Sequence, residues 1–241
     1  MVRVILNRVP YIAPAGVRNA AGETPEPGVA AGSLISIFGE SLAEKYEAGS
    51  SSPLAQTLGD IVVQVEDRLL PLVYVSPQQI NALLPIDIAE GTHKLAVKRT
   101  GVEDVNGEFA VERNAPGLFS NTVDTKVYAI ALHEDGTAVN VASPAKRGER
   151  ITLLGTGFGP YDKHPVEGFA LPATPQITLV DNAEIAAGDL RLPTIWSGAA
   201  PGFVGVAASR FRIADELPSG APEIRIIVNG KQSNPVLLPV E

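Results

Sequence analysis

Hydrophobic positions in this chain come in short alternating runs rather than long helical stripes. Leu34–Phe38 (LISIF) and Ile151–Leu154 (ITLL) are apolar runs that each end at a glycine, Gly39 and Gly155. The stretches HKLAVKRTG (93–101) and EIRIIVNG (223–230) alternate apolar and polar residues before running into a turn. A period of two, bounded by turn formers, is the pattern of a half-buried strand. Asp135-Gly136 and Asn229-Gly230 are two-residue hairpin signals, because both central positions of such a turn need positive φ. Helical periodicity is weak throughout, and Ser52–Gly59 (SPLAQTLG) is the best candidate for a short helix or turn. Regularly spaced strands divided by turns predict β-sandwich modules.

The pattern occurs twice. Gly32, Ile35 and Gly39 align with Gly148, Ile151 and Gly155 at an offset of 148 − 32 = 116. Farther along, Pro85–Gly101 aligns with Ala214–Gly230 at an offset of 214 − 85 = 129, a register that runs on to the endings FAVE and LPVE. The second copy therefore holds 129 − 116 = 13 extra residues, which this alignment places around Leu192–Gly205. The first copy's last strand is broken near Glu112–Asn121 by Asn114, Pro116 and Gly117. The expected organisation is an all-β chain of two tandem β-sandwiches. Residues 1–115 form the first and residues 116–241 the second, which carries the 13-residue insertion. The short connector, with Leu118 and Phe119, predicts modules that pack together.

Composition agrees with many turns: 23 Gly and 20 Pro among 241 residues, 45% hydrophobic. A formal charge of −8, with no run of basic residues longer than two, excludes the basic stripe that nucleic-acid binding needs. The absence of cysteine rules out disulfides, thiolate chemistry and cysteine-bearing zinc motifs. No window reaches the roughly 18 apolar residues of a membrane span. The apolar run at the N-terminus is interrupted by Asn7, Arg8 and Pro10, too early for a signal peptide. An exported parent would carry its signal outside this chain.

Candidate chemistry is sparse. Gly155, Gly157 and Gly159 suggest a phosphate-cradling loop, but Pro160 and a non-helical stretch follow them. Neither the dinucleotide fingerprint nor a P-loop fits, and a turn requirement is the expected explanation. His93, His133 and His164 lie in separate segments without metal-ligand spacing and are expected at the surface. Ser41 lacks the full nucleophile-elbow pattern, and its hydroxyl is expected to serve a turn. Four acidic pairs, Glu66-Asp67, Glu103-Asp104, Glu134-Asp135 and Asp215-Glu216, lie in turn-like contexts and are expected in solvent. No cofactor or metal is implied, although a calcium ion bridging the modules stays open at the level of sequence. The aromatics Trp196, Phe203 and Tyr161 are the candidate ligand-binding residues. Exposed together they would form a sugar-stacking platform; packed together, the favoured expectation, they would be a seam between modules. Gln79 and Asn81 are expected to satisfy exposed strand backbone.

Two stretches, Val29–Ala43 (VAAGSLISIFGESLA) and Arg147–Pro160 (RGERITLLGTGFGP), resemble the opening strand and turn of IPT/TIG domains, which are immunoglobulin-like sandwiches. Pro71–Pro85 (PLVYVSPQQINALLP), Asn114–Phe119 and Ala200–Gly220 together resemble an uncharacterised C-terminal domain family of large exported acidobacterial proteins. The likeness runs from Ala15 to the end of the chain. One departure is that the Gln-x-Asn element kept as Gln79 and Asn81 becomes Ala208 and Arg210 in the second copy. The resemblance implies an extracellular or cell-surface setting and a non-catalytic structural or interaction role. Its partner would be the rest of the parent polypeptide or another surface protein. A carbohydrate-binding module, with a polysaccharide as partner, is the alternative.

Overall fold

Two hydrophobic cores organise the chain in a computed structural model that describes residues 9–22, 24 and 27–241. Residues 1–8, which carry part of the N-terminal stretch read above for a leader, lie outside the described residues. Every regular element described is a β-strand. One core draws its buried residues from Val29 to Val111, the other from Leu118 to Val240. The fold is all-β, two tandem immunoglobulin-like β-sandwich modules.

In the first module two five-stranded sheets face each other. One is ordered Tyr11–Asn19, Leu34–Glu40, Gln79–Leu83, Leu72–Val75, Glu47–Ala48, and the other Val29–Ala30, Val105–Glu112, Gly91–Arg99, Ile61–Val65, Arg68–Leu69. Alternation decides what each strand buries: in Ile61–Val65 the residues Ile61, Val63 and Val65 are buried and the two between are half-buried. In the second module a continuous path joins both layers. It runs Gly117–Leu118, Arg150–Thr156, Ala207–Arg212, Leu190–Ala199, Ala183–Ala187, Glu223–Val228, Val236–Leu237, Lys126–Ala129, Ser120–Val123.

The inner ladders of the two modules share a register. Leu34–Glu40 meets Gln79–Leu83 through Ser36↔Asn81 and Phe38↔Gln79, and Arg150–Thr156 meets Ala207–Arg212 through Thr152↔Arg210 and Leu154↔Ala208. The second set is the first displaced by 152 − 36 = 116 on one strand and 210 − 81 = 129 on the other. The extra residues, however, are not one block at Leu192–Gly205. Thr194 and Trp196 pair with Phe211 and Arg210 across a bulge, as Leu72 and Tyr74 pair with Ala82 and Asn81 across a bulge. That strand has an offset of 194 − 72 = 122, so 122 − 116 = 6 extra residues precede it and 129 − 122 = 7 follow it. Trp196 therefore lies in a regular strand of the module, at the place of Tyr74. Pro71 and Pro193 sit at the same point. Lacking an N–H, proline interrupts the ladder where the chain leaves one sheet for the other.

Ser52–Gly59 forms bends and no helix. Its backbone is engaged elsewhere: Leu54 N–H donates to Gly168 O (2.9 Å) and Ala55 O accepts from Leu72 N–H (2.8 Å). Asn229 and Gly230 do adopt positive φ (48° and 82°), turning Glu223–Val228 into Lys231–Gln232.

The modules meet through buried polar groups. Fully buried Thr156 accepts from Leu34 N–H (3.0 Å) and donates to Gly205 O (2.7 Å). Asn19 Nδ2 donates to Ala115 O (2.7 Å). Asn114 Nδ2 donates to Phe158 O (2.8 Å) and Asp181 Oδ2 (2.9 Å), while its Oδ1 accepts from Asn229 (3.2 Å). Arg113 grips Asp181 with two parallel bonds (3.0 and 2.9 Å). Beside them Leu83, Leu84 and Ile86 face Tyr161, Val166 and Leu171 around an apolar crevice of about 30 Å³, room for about one water. Among the described residues no buried side-chain nitrogen or oxygen lacks a partner.

This joint explains the glycine loop. A Cβ on Gly157 would collide with Ala115 O, and one on Gly159 with Asn114 Nδ2. Both also have positive φ (76° and 122°). The turn expected from sequence is not formed here: Gly155 lies near the end of its strand and the next two glycines lie in irregular backbone, where they let the inter-module connector pass directly over them.

Candidate functional site

The outer faces of the two inner ladders carry the polar and aromatic groups that could meet a partner. In the first module Ser36 Oγ donates to Asn81 Oδ1 (2.9 Å), and Gln79 Nε2 donates to Asn81 Oδ1 (2.8 Å) and Ser36 Oγ (3.3 Å). Gln79 and Asn81 thus bond side chains, not exposed strand backbone as the sequence suggested. Opposite residues on neighbouring strands bring their side chains within reach of one another. Tyr74 pairs opposite Asn81, and Arg18 sits 6.0 Å over the Phe38 ring.

In the second module the same positions hold Thr152, Leu154, Ala208, Arg210 and Trp196. Leu154 and Ala208 form a small apolar cluster with Ala200, and Trp196, Phe119 and Val206 pack against it. The indole lies over Gly198, where a Cβ would stand 2.5 Å from Cζ2 and 3.0 Å from Cε2. Its Nε1 donates to Thr178 Oγ1 (3.4 Å). The ring is therefore held in one orientation, backed by the sheet.

An open groove of about 420 Å³ lies along this edge, between Thr178–Glu184 and Arg191–Ser197, with Trp196 in its wall. The bulge turns Ile195 outward (54% exposed). Polar groups line the rest. The Asp181 carboxylate is held below its ordinary range by hydrogen bonds from Arg113 and then Asn114, so it stays anionic. Arg191 Nε stands 3.6 Å from Glu184. The groove is shallow and its lining more polar than apolar, with Trp196 the one aromatic surface in it.

The three aromatics are not brought together as one platform or one seam. Tyr161 lines the inter-module crevice, where burial pushes its phenol well above the ordinary value. Trp196 lies on the outer face of the second module. Phe203 is 44% exposed, its backbone carbonyl accepting from Leu171 N–H (3.2 Å). Trp196 packs against Leu154, Ala200 and Ala208, whereas Tyr161 packs against the main core of the second module, so the two do not form the mutual seam expected from sequence.

The histidines divide. His164 is exposed, as expected, but the other two are mostly covered. His93 reaches Glu66 (3.2 Å) and Ala89 O (2.9 Å) beneath Phe109. His133 Nδ1 meets Glu149 Oε1 at 2.6 Å, and its Nε2 faces Ser143 Oγ (3.2 Å) and Ser143 O (3.1 Å). This Ser–His–Glu line clamps a turn. The amides of Ala142 and Ser143, the nearest candidates to hold an oxyanion, already donate to Asn140 Oδ1 (2.9 and 3.0 Å). The four acidic pairs are exposed, three of them in turns and Glu103-Asp104 in the irregular stretch just before Val105–Glu112. Among the described residues no group of three or more His, Asp or Glu side chains is placed to hold a metal ion, and no helix is long and apolar enough to cross a membrane.

Sequence reasoning missed the groove because it read Leu192–Gly205 as inserted. The signal was present: Leu70-Pro71-Leu72-Val73-Tyr74 and Leu192-Pro193-Thr194-Ile195-Trp196 share the pattern Leu-Pro-x-β-branched-aromatic at an offset of 122.

No family model matches the chain, and no curated protein matches it. Among solved structures it is similar to the SGBP-B of a mixed-linkage glucan utilization locus of Bacteroides ovatus, in complex with a mixed-linkage heptasaccharide. That match has 10% identity over 92% of this chain and 46% of that one, with a TM-score of 0.35. It is also similar to SGBP-B from a xyloglucan utilization locus of Bacteroides uniformis, with 15% identity, 96% and 50% coverage, and a TM-score of 0.29. Murine CEACAM1b is a third, with 12% identity, 93% and 100% coverage, and a TM-score of 0.24. The chain spans about half the length of the first two. Scores this low assign neither ancestry nor activity.

Proposed function

We propose that this protein is a non-catalytic structural and interaction module, the C-terminal part of a larger exported or cell-surface protein. It holds its two sandwiches at a fixed angle and presents their outer faces and edges to the parent polypeptide or to another surface protein. The observation that carries this reading is the joint. Thr156, Asn19 and Asn114 tie both modules and the connector together with buried, fully partnered hydrogen bonds, an arrangement that breaks when one partner is removed. The exported setting rests on the resemblance to the acidobacterial C-terminal family.

Small-angle scattering tests the rigidity. One fixed inter-module separation is expected for the native chain, and the double variant N19A/N114A should broaden it. A native profile that requires a spread of separations would overturn the reading. The Trp196 groove favours a second reading, a carbohydrate-binding module.

A further inference from the structure

We propose that the outer face of the second module's central strands docks an extended acidic segment of a partner protein, one with carboxylates on alternate residues. This rests on the interaction-module reading and gives it a face and a partner chemistry. Along Arg150–Thr156 and Ala207–Arg212 the residues Ile151, Leu153, Ala207 and Phe211 enter the core, so Arg150, Thr152, Leu154, Ala208, Arg210 and Arg212 point outward. Arg150 stands opposite Arg212, and Arg210 lies between Thr152 and Trp196. All three arginines are exposed.

Charge picks the partner. The chain carries −8, and Arg68, Arg113, Arg191 and Arg225 each hold a carboxylate, as Arg150 holds Glu134. Arg210 and Arg212 bond only neutral oxygens, each through Nε: Thr152 Oγ1 at 3.4 Å and Gly148 O at 3.0 Å. Among the described residues their terminal nitrogens have no partner. Each guanidinium therefore keeps donors free for a carboxylate.

Spacing sets the shape. Arg210 and Arg212 are two residues apart on one strand, about 6.6 Å, and an extended chain repeats its own side chains at the same interval. Carboxylates at positions i and i+2 of such a segment meet both guanidiniums together. Position i+4 then reaches Ala208, where Trp196, Phe119 and Val206 pack around a small apolar cluster with Leu154, and an apolar residue fits there. Arginine and tryptophan beside an apolar patch are the residues that dominate protein interfaces. A second copy packed here about a twofold axis through the patch would set arginine against arginine. A long polyanion would gain two pairs and be repelled by the rest of a chain at −8.

The test titrates the full chain with the end-blocked peptide TETETLT. TKTKTLT reverses its charge, TEETTLT keeps the charge but breaks the alternation, and hexagalacturonate serves as the polyanionic glycan. Binding is followed by calorimetry and by the fluorescence of Trp196, the only tryptophan. Saturable binding of TETETLT is expected, at least about fivefold tighter than that of TEETTLT and about tenfold weaker in the double variant R210A/R212A. Both arginines are exposed, so the melting temperature should hold, which separates lost binding from lost folding.

A flat titration with TETETLT, equal binding of either altered peptide, binding that survives R210A/R212A, or a preference for hexagalacturonate would overturn the proposal. A flat titration beside a single inter-module separation in scattering removes this docking face and leaves the rigid module standing. Saturable binding by a chain with a spread of separations does the reverse.

Discussion

At equivalent places on their inner ladders the two modules have built opposite surfaces. In the first, Tyr74 stands opposite Asn81, and the outer face is closed by the Ser36, Gln79 and Asn81 network. In the second, Trp196 stands opposite Arg210, and the network is replaced by Thr152, Ala208 and Arg210, with Leu154 where Phe38 would be. The cause lies in the connection after the aromatic. The first module turns at once: Ser76 Oγ accepts from the amides of Gln78 and Gln79 (3.3 and 2.9 Å), and the next strand begins. In the second, the strand continues through Gly198 to Ala199, and the seven extra residues form the return. The longer strand supplies a side-chain-free seat for a large ring. One module has a sealed polar face, and the other a backed aromatic beside an open groove.

Filling the seat should have the largest effect. Gly198→Val would drive a branched side chain into the Ile177 carbonyl and then the indole and cost the second module about 1–3 kcal/mol, read as a lower denaturation midpoint with a red-shifted Trp196 emission. An unchanged spectrum would mean that the ring does not depend on Gly198. A smaller, asymmetric effect is expected from the paired positions. Asn81→Ala leaves the Gln79 amide and the buried Ser36 hydroxyl short of a partner, at a cost of about 1–2 kcal/mol. Arg210→Ala removes an exposed side chain and should stay within about 0.5 kcal/mol. Equal costs at the two sites would erase the contrast between the faces.

The ladder at Leu34–Glu40 was readable because its apolar alternation and terminal glycine are local properties of the strand, and so was the hairpin at Asn229-Gly230. The groove was hidden by an assumption about where length is added. An alignment that lets the offset change once puts Trp196 in a loop, whereas the chain changes it twice, around a strand marked by Pro193. The joint was illegible for another reason. Asn19, Asn114 and Thr156 are ordinary polar residues in sequence, and only the meeting of segments 122 residues apart, Leu34 and Thr156, gives them their partners. The covered state of His93 and His133 was missed in the same way, since their carboxylates come from other strands and turns.

His133 yields the smallest expected effect and one confined to the second module. Its pKa is raised chiefly by the hydrogen bond to Glu149, helped by Ser143 O and by the nearby charges of Glu149 and Asp135. With the pKa higher in the folded state, the imidazolium's stabilisation is fully present below the ordinary histidine value of 6.5 and is lost as pH rises through the raised value. Glu149 also accepts from Lys146 N–H (2.8 Å), so the same carboxylate fixes both ends of the turn. Chemical denaturation followed at Trp196 should show lower stability at about pH 9 than at about pH 6. Glu149→Gln, which keeps an acceptor but removes the charge, should flatten that dependence; a slope that survives it would assign the titration to another group. The Ser36, Gln79 and Asn81 network has no titrating member, so the Asn81→Ala penalty should be the same at both pH values, and the two modules would be told apart by pH as well as by shape.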